Sequence, residues 1–215
     1  MARPYASPMD FVRPVEAIVP GAQGRVLAVM AETTAELNLR TIAELSGVSL
    51  AQASRVLPGL VELGVLERRE VPPSSLFRFV PEHVASEAIL ALARSADTVL
   101  DELGHLAASL LISPVSGIVF GSFARREADA ESDIDLLVVR PADVDEDDEK
   151  WASSMTQLHT DTRGLTGNPI EVFEVSAGEV AALVKSRRPL WADIRRDGRV
   201  VHGLPLDELR GVRSA

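Results

Sequence analysis

The sequence predicts an α+β protein built in two parts, and three observations carry that prediction. Between residues 25 and 63 the apolar residues recur at helical spacing. From 113 to 140, and again from 169 to 176, they gather into short runs of strand type. The charge changes regime after Glu82: residues 1–82 carry 8 Lys+Arg against 9 Asp+Glu, the remainder 14 against 23, so the formal net charge of −10 belongs to the second part. With 215 residues, 46% hydrophobic and 25% charged, the chain has ordinary globular composition and enough length to bury one core or two.

Several classes fall away early. No apolar run approaches the length of a membrane span. The opening "MARPYASPMDFVRPVE" lacks the apolar centre of a signal peptide, so the expectation is a cytoplasmic protein. There is no cysteine, and His83, His105, His159 and His202 are scattered. Any metal is therefore expected on oxygen ligands.

"GRVLAVMAE" has the spacing of a short helix, and "TIAELSGVSLAQASRVLPGLVELGVLERRE" adds two more. Leu39, Ile42, Ala43 and Leu45 form the expected buried side of the first of these, which Gly47 ends. Ser49 caps the next, whose expected buried stripe is Ala53, Val56, Leu57, Leu60 and Leu63, with Pro58 a local distortion. "VLERREVPPSSLFRFV" then reads as two strands around a Pro-Pro-Ser-Ser turn. This order resembles the winged helix-turn-helix family. The resemblance implies binding to double-stranded DNA, with Gln52, Ser54 and Arg55 facing bases or phosphates and Arg68, Arg69 and Arg78 of the wing on the backbone. A winged helix that serves only as a protein–protein module is the competing reading. Residues 1–82 are assigned to this domain.

Residues 83–112 are expected to form a connecting or dimerisation helix. Ile89, Leu92, Ala96, Val99, Leu103, Leu106 and Leu110 recur at alternating spacings of three and four, the seam of a coiled-coil homodimer or the stripe of a connector packed on one domain. Gly104 weakens that helix near its end.

Residues 113–215 form the third region, with strands at "PVSGIVFGS", "DIDLLVVR" and "NPIEVFEVS", a short helix or loop at "FARREADA", and helices over "DVDEDDEKWASSMTQLHTDTRGLT" and from Ala177 to Arg196. The acids of "DVDEDDE" read as a solvated loop favouring the start of the following helix. Asp133 and Asp135 share one face of a strand, Ile134 and Leu136 the other. Two carboxylates so placed repel unless a cation lies between them, and a hard divalent ion such as Mg²⁺ suits them. Twelve positions before Asp133, Gly121 and Ser122 stand just past the preceding strand, where backbone N–H groups and a hydroxyl can approach phosphate oxygens.

"GSFARREADAESDIDLLVV" resembles the signature of the DNA polymerase β superfamily of nucleotidyltransferases, and its minimal members most closely: Gly121, Ser122, Ala124, Arg125, Ser132, Asp133, Ile134 and Asp135 all fit. The resemblance implies a small mixed sheet with helices on one side and transfer of a nucleoside monophosphate from a nucleoside triphosphate, with ATP and Mg²⁺ expected. It places Asp133 and Asp135 on the metal, Gly121, Ser122, Arg125 and Ser132 at the nucleotide, and a third acid, as base or metal ligand, on a later strand. Glu171 is the choice, Glu174 lying on the opposite face. Arg125 reads equally as a triphosphate contact or a brace for its loop. Arg126 stands where the family has Gly, which alters or removes a tight turn. Trp191 and Ile194 are expected in the core, with Arg187, Arg188, Arg195 and Arg196 as a solvated basic face or a phosphate attractor.

Two functional classes follow. One is an Mg²⁺-dependent nucleotidyltransferase with a DNA-binding module; by family likeness its acceptor hydroxyl includes that of a separately encoded toxin, adenylylated in an antitoxin setting. The other is a transcription regulator or partner-binding antitoxin whose transferase domain only senses nucleotide or holds a partner.

Overall fold

The computed structural model describes residues 7–186 and 188–209; Arg187, assigned above to a basic face, lies outside the described residues. Two compact units divide the chain, one of residues 13–95 and one of 1–12 with 96–215. Among the described residues no helix is long and apolar enough to cross a membrane.

The first unit runs α1 (Pro14–Ile18), α2 (Ala22–Ala31), β1 (Leu37–Asn38), α3 (Leu39–Leu45), α4 (Leu50–Glu62), β2 (Leu66–Val71), β3 (Ser74–Phe79) and α5 (Val84–Ala93). Its strands form an antiparallel sheet in the order β1-β3-β2, so the β2–β3 hairpin is the wing and Ser74 and Ser75 belong to its second strand. Gly47, at φ 61°, makes the turn between α3 and α4. Ser49 then caps α4 in a reciprocal box with Gln52. Pro58 sits within α4 without ending it, and its missing N–H leaves the Ser54 carbonyl without an intrahelical donor. Ile42, Ala43, Ala53, Leu57, Leu60, Phe77 and Phe79 meet Val26 and Met30 in the core. Leu45 and Leu63, expected in that core, are instead 61% and 62% exposed, each at the C-terminal end of its helix.

The second unit contains α6 (Ser95–Ser109), β4 (Ser116–Phe120), α7 (Gly121–Ala124), β5 (Ile134–Arg140), α8 (Glu149–Thr166), β6 (Ile170–Ser176), α9 (Val180–Lys185), α10 (Pro189–Asp197), β7 (Arg199–Gly203) and α11 (Leu206–Leu209). Its mixed sheet has the order β6-β5-β4-β7, with β5 and β6 parallel and the other pairs antiparallel. A parallel pair needs a crossover, and α8 supplies it, started by Asp148, whose carboxylate accepts from the N–H groups of Lys150 and Trp151.

Ile134, Leu136 and Val138 pack with Val99 and Leu103 of α6 and Trp151 and Leu158 of α8. Leu137 and Val139 pack on the other face with Val180, Val184, Trp191 and Ile194. Helices therefore cover both faces of the sheet, correcting the one-sided arrangement that the resemblance implied. β5 explains it: apolar at nearly every position, it can be buried only from both sides.

Two boundaries also differ from the sequence reading. Residues 7–12, assigned above to the first domain, join the second unit: the Phe11 ring packs edge-on against Phe123 at 5.0 Å, and its N–H donates to the Ala128 carbonyl at 3.0 Å. The single helix expected over 83–112 is two, and its seam is shared between two cores, Ile89 and Leu92 packing in the first unit and Ala96, Val99, Leu103, Leu106 and Leu110 in the second. Gly104 proves to be a packing residue, since a Cβ there would lie 2.3 Å from the Val201 carbonyl oxygen of β7. With the seam buried within the chain, Leu103→Ala should cost about 2–5 kcal/mol. We expect the urea midpoint to fall equally at all protein concentrations; a midpoint that climbs with concentration would mark a seam between chains.

Candidate active site and nucleic-acid face

β4 ends opposite the start of β5, with Phe120 facing Asp135, and the parallel register sets Asp135 directly opposite Glu171 on β6. Residues in register share a face. Asp133, one residue before β5 begins, points to the same side by alternation. The structure thus brings together the three acids that the sequence singled out, and none of their carboxylates has a hydrogen bond or salt bridge among the described residues. Burial of Asp135, reinforced by the charges of Glu171 and Asp133, pushes its carboxyl above the usual range, and Arg125 offsets part of that rise.

Gly121 is required by contact as well as conformation. At φ 70° it occupies the left-handed region, and a Cβ there would lie 2.0 Å from Asp135 Oδ2. Ser122 follows in the first turn of α7, its hydroxyl without a protein partner among the described residues.

The tight turn survives Arg126. The Arg126 N–H donates to Phe123 O at 3.1 Å and the Glu127 N–H to Ser122 O at 2.8 Å, the paired closure of a Schellman motif. Its key residue takes the left-handed conformation, and Arg126 takes it at φ 62°, the single non-glycine with positive φ among the described residues. The strain explains why Gly suits the position. The Arg126 guanidinium reaches Asp97 on α6 at 2.7 Å.

Arg125 is braced. Its Nε donates to Glu127 at 2.7 Å and its Nη1 stands 3.5 Å from Asp197, which Arg196 also holds at 2.8 Å. Ser132, assigned above to the nucleotide, is engaged within its own turn: its hydroxyl donates to Asp129 Oδ1 at 2.9 Å and accepts from the Asp129 N–H at 3.1 Å. Glu174, opposite Glu171 in facing, pairs with Arg140 at 2.6 Å.

Asn168 escaped the sequence reading. It is 1% exposed; its Nδ2 donates to the carbonyls of Met9, Asp129 and Ser132 at 3.3, 3.4 and 3.1 Å, and its Oδ1 accepts from the Met9 N–H at 2.9 Å. Next to it, Pro169 O accepts from the Ile134 N–H at 2.9 Å. These bonds join the strand of the third acid to the segment carrying the other two. An Asn between the C-capping Gly167 and a proline was the available signal.

The oxygen donors, their lack of partners and their mutual repulsion all fit a hard cation. Among the described residues, no three acids or histidines converge into a ready-made metal cage.

On the other unit, Gln52 Oε1 is engaged by the Ser49 N–H at 2.9 Å, and Arg55 Nε donates back to Ala51 O at 3.2 Å; Ser54 and Arg55 are exposed on α4. Every wing arginine has a carboxylate: Arg68 with Glu70 at 2.6 Å, Arg78 with Glu67 at 2.8 Å, and Arg69 with Glu36. The register also separates them. Arg68 shares a face with the buried Phe77 and Phe79, whereas Arg69 and Arg78 lie on the opposite face of the hairpin.

Because the Asp135 carboxyl titrates higher in the folded chain than in the unfolded one, its ionised form is a liability that grows as pH rises through that interval. Asp135→Asn should therefore raise the melting temperature at pH 7, the gain shrinking as pH falls through the ordinary carboxylate range; a gain independent of pH would refute the repulsion. Arg126→Gly should stabilise the chain by about 1 kcal/mol in urea unfolding, since it relieves left-handed strain of about 1–2 kcal/mol while losing one exposed ion pair.

Two comparisons agree with this geometry. Residues 24–70 match the family model of the IclR helix-turn-helix domain, and residues 106–189 match that of the nucleotidyltransferase domain. No curated protein matches the chain. The chain is a fusion of an IclR-type helix-turn-helix domain and a nucleotidyltransferase domain.

Proposed function

We propose that the chain is an Mg²⁺-dependent nucleotidyltransferase that moves a nucleoside monophosphate from a nucleoside triphosphate, ATP first among them, to a hydroxyl acceptor, and that its helix-turn-helix domain binds double-stranded DNA. One observation carries the transferase reading: Asp133, Asp135 and Glu171 lie on one side of adjacent strands, without partners, beside a glycine that leaves room for the Asp135 carboxylate. Asp133, Asp135 and Glu171 would hold the metal, which neutralises phosphate charge and polarises the reacting phosphoryl group. Gly121 and Ser122 present backbone N–H groups and a hydroxyl to the triphosphate. The acceptor oxygen bonds to the α-phosphorus as the bond to the pyrophosphate oxygen breaks, and Glu171 accepts the hydroxyl proton. Arg125 steadies the loop from Glu127 and Asp197 and biases the site against excess negative charge. An acceptor hydroxyl on a separately encoded toxin would make the reaction a protein adenylylation.

Among the described residues Asp133, Asp135 and Glu171 are not drawn into a closed metal cage, and a second reading follows from that looser arrangement, in which the domain holds nucleotide without transferring it and the chain acts as a regulator. The DNA reading rests on the helix-turn-helix match and on the exposed Ser54 and Arg55 of α4. A homodimer would double those few contacts.

Incubation with Mg²⁺ and each α-labelled nucleoside triphosphate, in the presence of cellular protein and RNA, separates the readings. Transfer that Asp133→Ala/Asp135→Ala lowers by about 10³-fold or more, the scale of losing electrostatic stabilisation of the reacting group, supports the enzyme and identifies its acceptor class. Mg²⁺-dependent nucleotide binding with no labelled product would replace it with the sensor.

A further inference from the structure

A groove of about 690 Å³ lies wholly within the helix-turn-helix unit, between α4, the start of α3 and the wing. Its size is that of small-molecule sites, and much of its floor is apolar: Leu39, Leu50, Leu57, Val61 and Phe77. Leu50, in the first turn of α4, is 48% exposed there, apolar surface that an occupant would cover.

The polar groups of the lining define the occupant. Three charged residues reach the groove: Arg40, Glu62 and Arg68. Arg68 is already satisfied, both its Nε and Nη2 donating to Ser75 Oγ at 3.1 and 2.9 Å while Glu70 stands 2.6 Å away. Glu62 belongs to the last turn of α4. The guanidinium of Arg40, in the first turn of α3, has neither a hydrogen bond nor an ion pair among the described residues. A guanidinium left without a carboxylate beside an apolar floor matches a ligand with one anionic end and an apolar body. Ser54 is a further polar residue of the same wall.

We infer that this groove binds a small amphipathic organic anion, its carboxylate or sulfonate on Arg40 and its apolar body over Leu50, Leu57 and Phe77. The site belongs to the helix-turn-helix unit and does not depend on the transferase reading. Its walls are the helix and wing assigned to DNA, so an occupied groove alters that face.

The full chain is titrated with 8-anilinonaphthalene-1-sulfonate, which brightens in apolar sites, and the dye is then displaced by 1-naphthoate, the neutral 1-naphthamide or the cationic 1-naphthylmethylammonium. Arg40→Gln and Ser54→Trp are compared with the parent after circular dichroism has established that each is folded. We expect one saturable site, with naphthoate about tenfold tighter than the amide, as a charge-assisted contact is worth. Arg40→Gln should abolish that preference, and Ser54→Trp should fill the groove and remove saturable binding. The inference fails if binding never saturates, if both variants keep it unchanged, or if the cation binds best, which would make Glu62 the anchor. Should Ser54→Trp not fold, the naphthoate-to-amide ratio in Arg40→Gln decides alone, because Arg40 is exposed and its replacement leaves the core intact.

Discussion

Three carboxylates held on one side of two parallel strands are the constraint to which the second unit is built. Left alone, Asp133, Asp135 and Glu171 repel, and the raised titration of Asp135 is the measure of that repulsion together with its partial burial. A fold optimised only for stability would place a lysine or an apolar residue there. Keeping the acids together instead requires a register that cannot slip, because a one-residue shift of β6 would carry Glu171 to the opposite face. The apolar positions on both faces of β5 prevent that slip, and the bonds from Asn168 and Pro169 fix the point where β5 and β6 begin. Under the proposed function, the uncompensated charge would give a divalent ion, and the phosphates it brings, a reason to bind.

The loop between β4 and β5 answers the same constraint from the other side. Gly121 lets the backbone pass against the Asp135 carboxylate, and the Schellman closure at Arg126 then turns the chain away. Arg126 keeps a strained conformation that Gly would adopt freely, and its ion pair with Asp97, exposed on both sides, offsets at most about 1 kcal/mol of that. Arg125 is better placed to matter. It lies close enough to lower the Asp135 carboxyl, while Glu127 and the largely covered Asp197 hold it short of forming a salt bridge with that group. The site thereby retains an unpaired anionic centre with a cation in reserve, the polarity that a metal–triphosphate complex complements.

What could be read from the sequence follows from the range of each interaction. The shared facing of Asp133 and Asp135 was legible because strand alternation is local, and that of Glu171 because an acid between apolar neighbours on a strand announces its facing. The protein partners of Arg125 and Ser132 were not. Asp197 lies far along the chain from Arg125, and Ser132 is claimed by a four-residue turn that starts at Asp129 and that no periodicity reveals. The ion pairs of the wing arginines were hidden for a related reason: Arg78 meets Glu67, and Arg69 meets Glu36, only once the register of β2 and the position of β1 are known. β7 was missed because its five residues are half-exposed and carry too little pattern, and Leu45 and Leu63 were misplaced because a helix stripe continues in sequence past the point where the helix has neighbours. In the helix-turn-helix unit α2, α3, α4 and the hairpin were legible, since their caps, turn and hairpin are local signals; α1 and β1, of five and two residues, carry too little pattern to show.

The pairing of the wing arginines bears on how the first unit can meet DNA. Affinity for a duplex comes mainly from cations that displace condensed counterions, about one per phosphate neutralised. Exposed Arg–Glu pairs hold their partners by about 1 kcal/mol or less, so a phosphate can take over the guanidinium of Arg68 or Arg78. The glutamate released does not leave, however. Glu67 and Glu70 lie on the same strand as Arg68 and Arg69, and each would stand beside the phosphate that displaced it. On the proposed DNA reading the wing therefore contributes geometry more than charge, and Arg55 on α4 and Arg40 at the start of α3, which have no carboxylate partner among the described residues, would carry much of the weight. Of those two, Arg40 also guards the groove, so an anion seated there and a phosphate outside compete for one guanidinium.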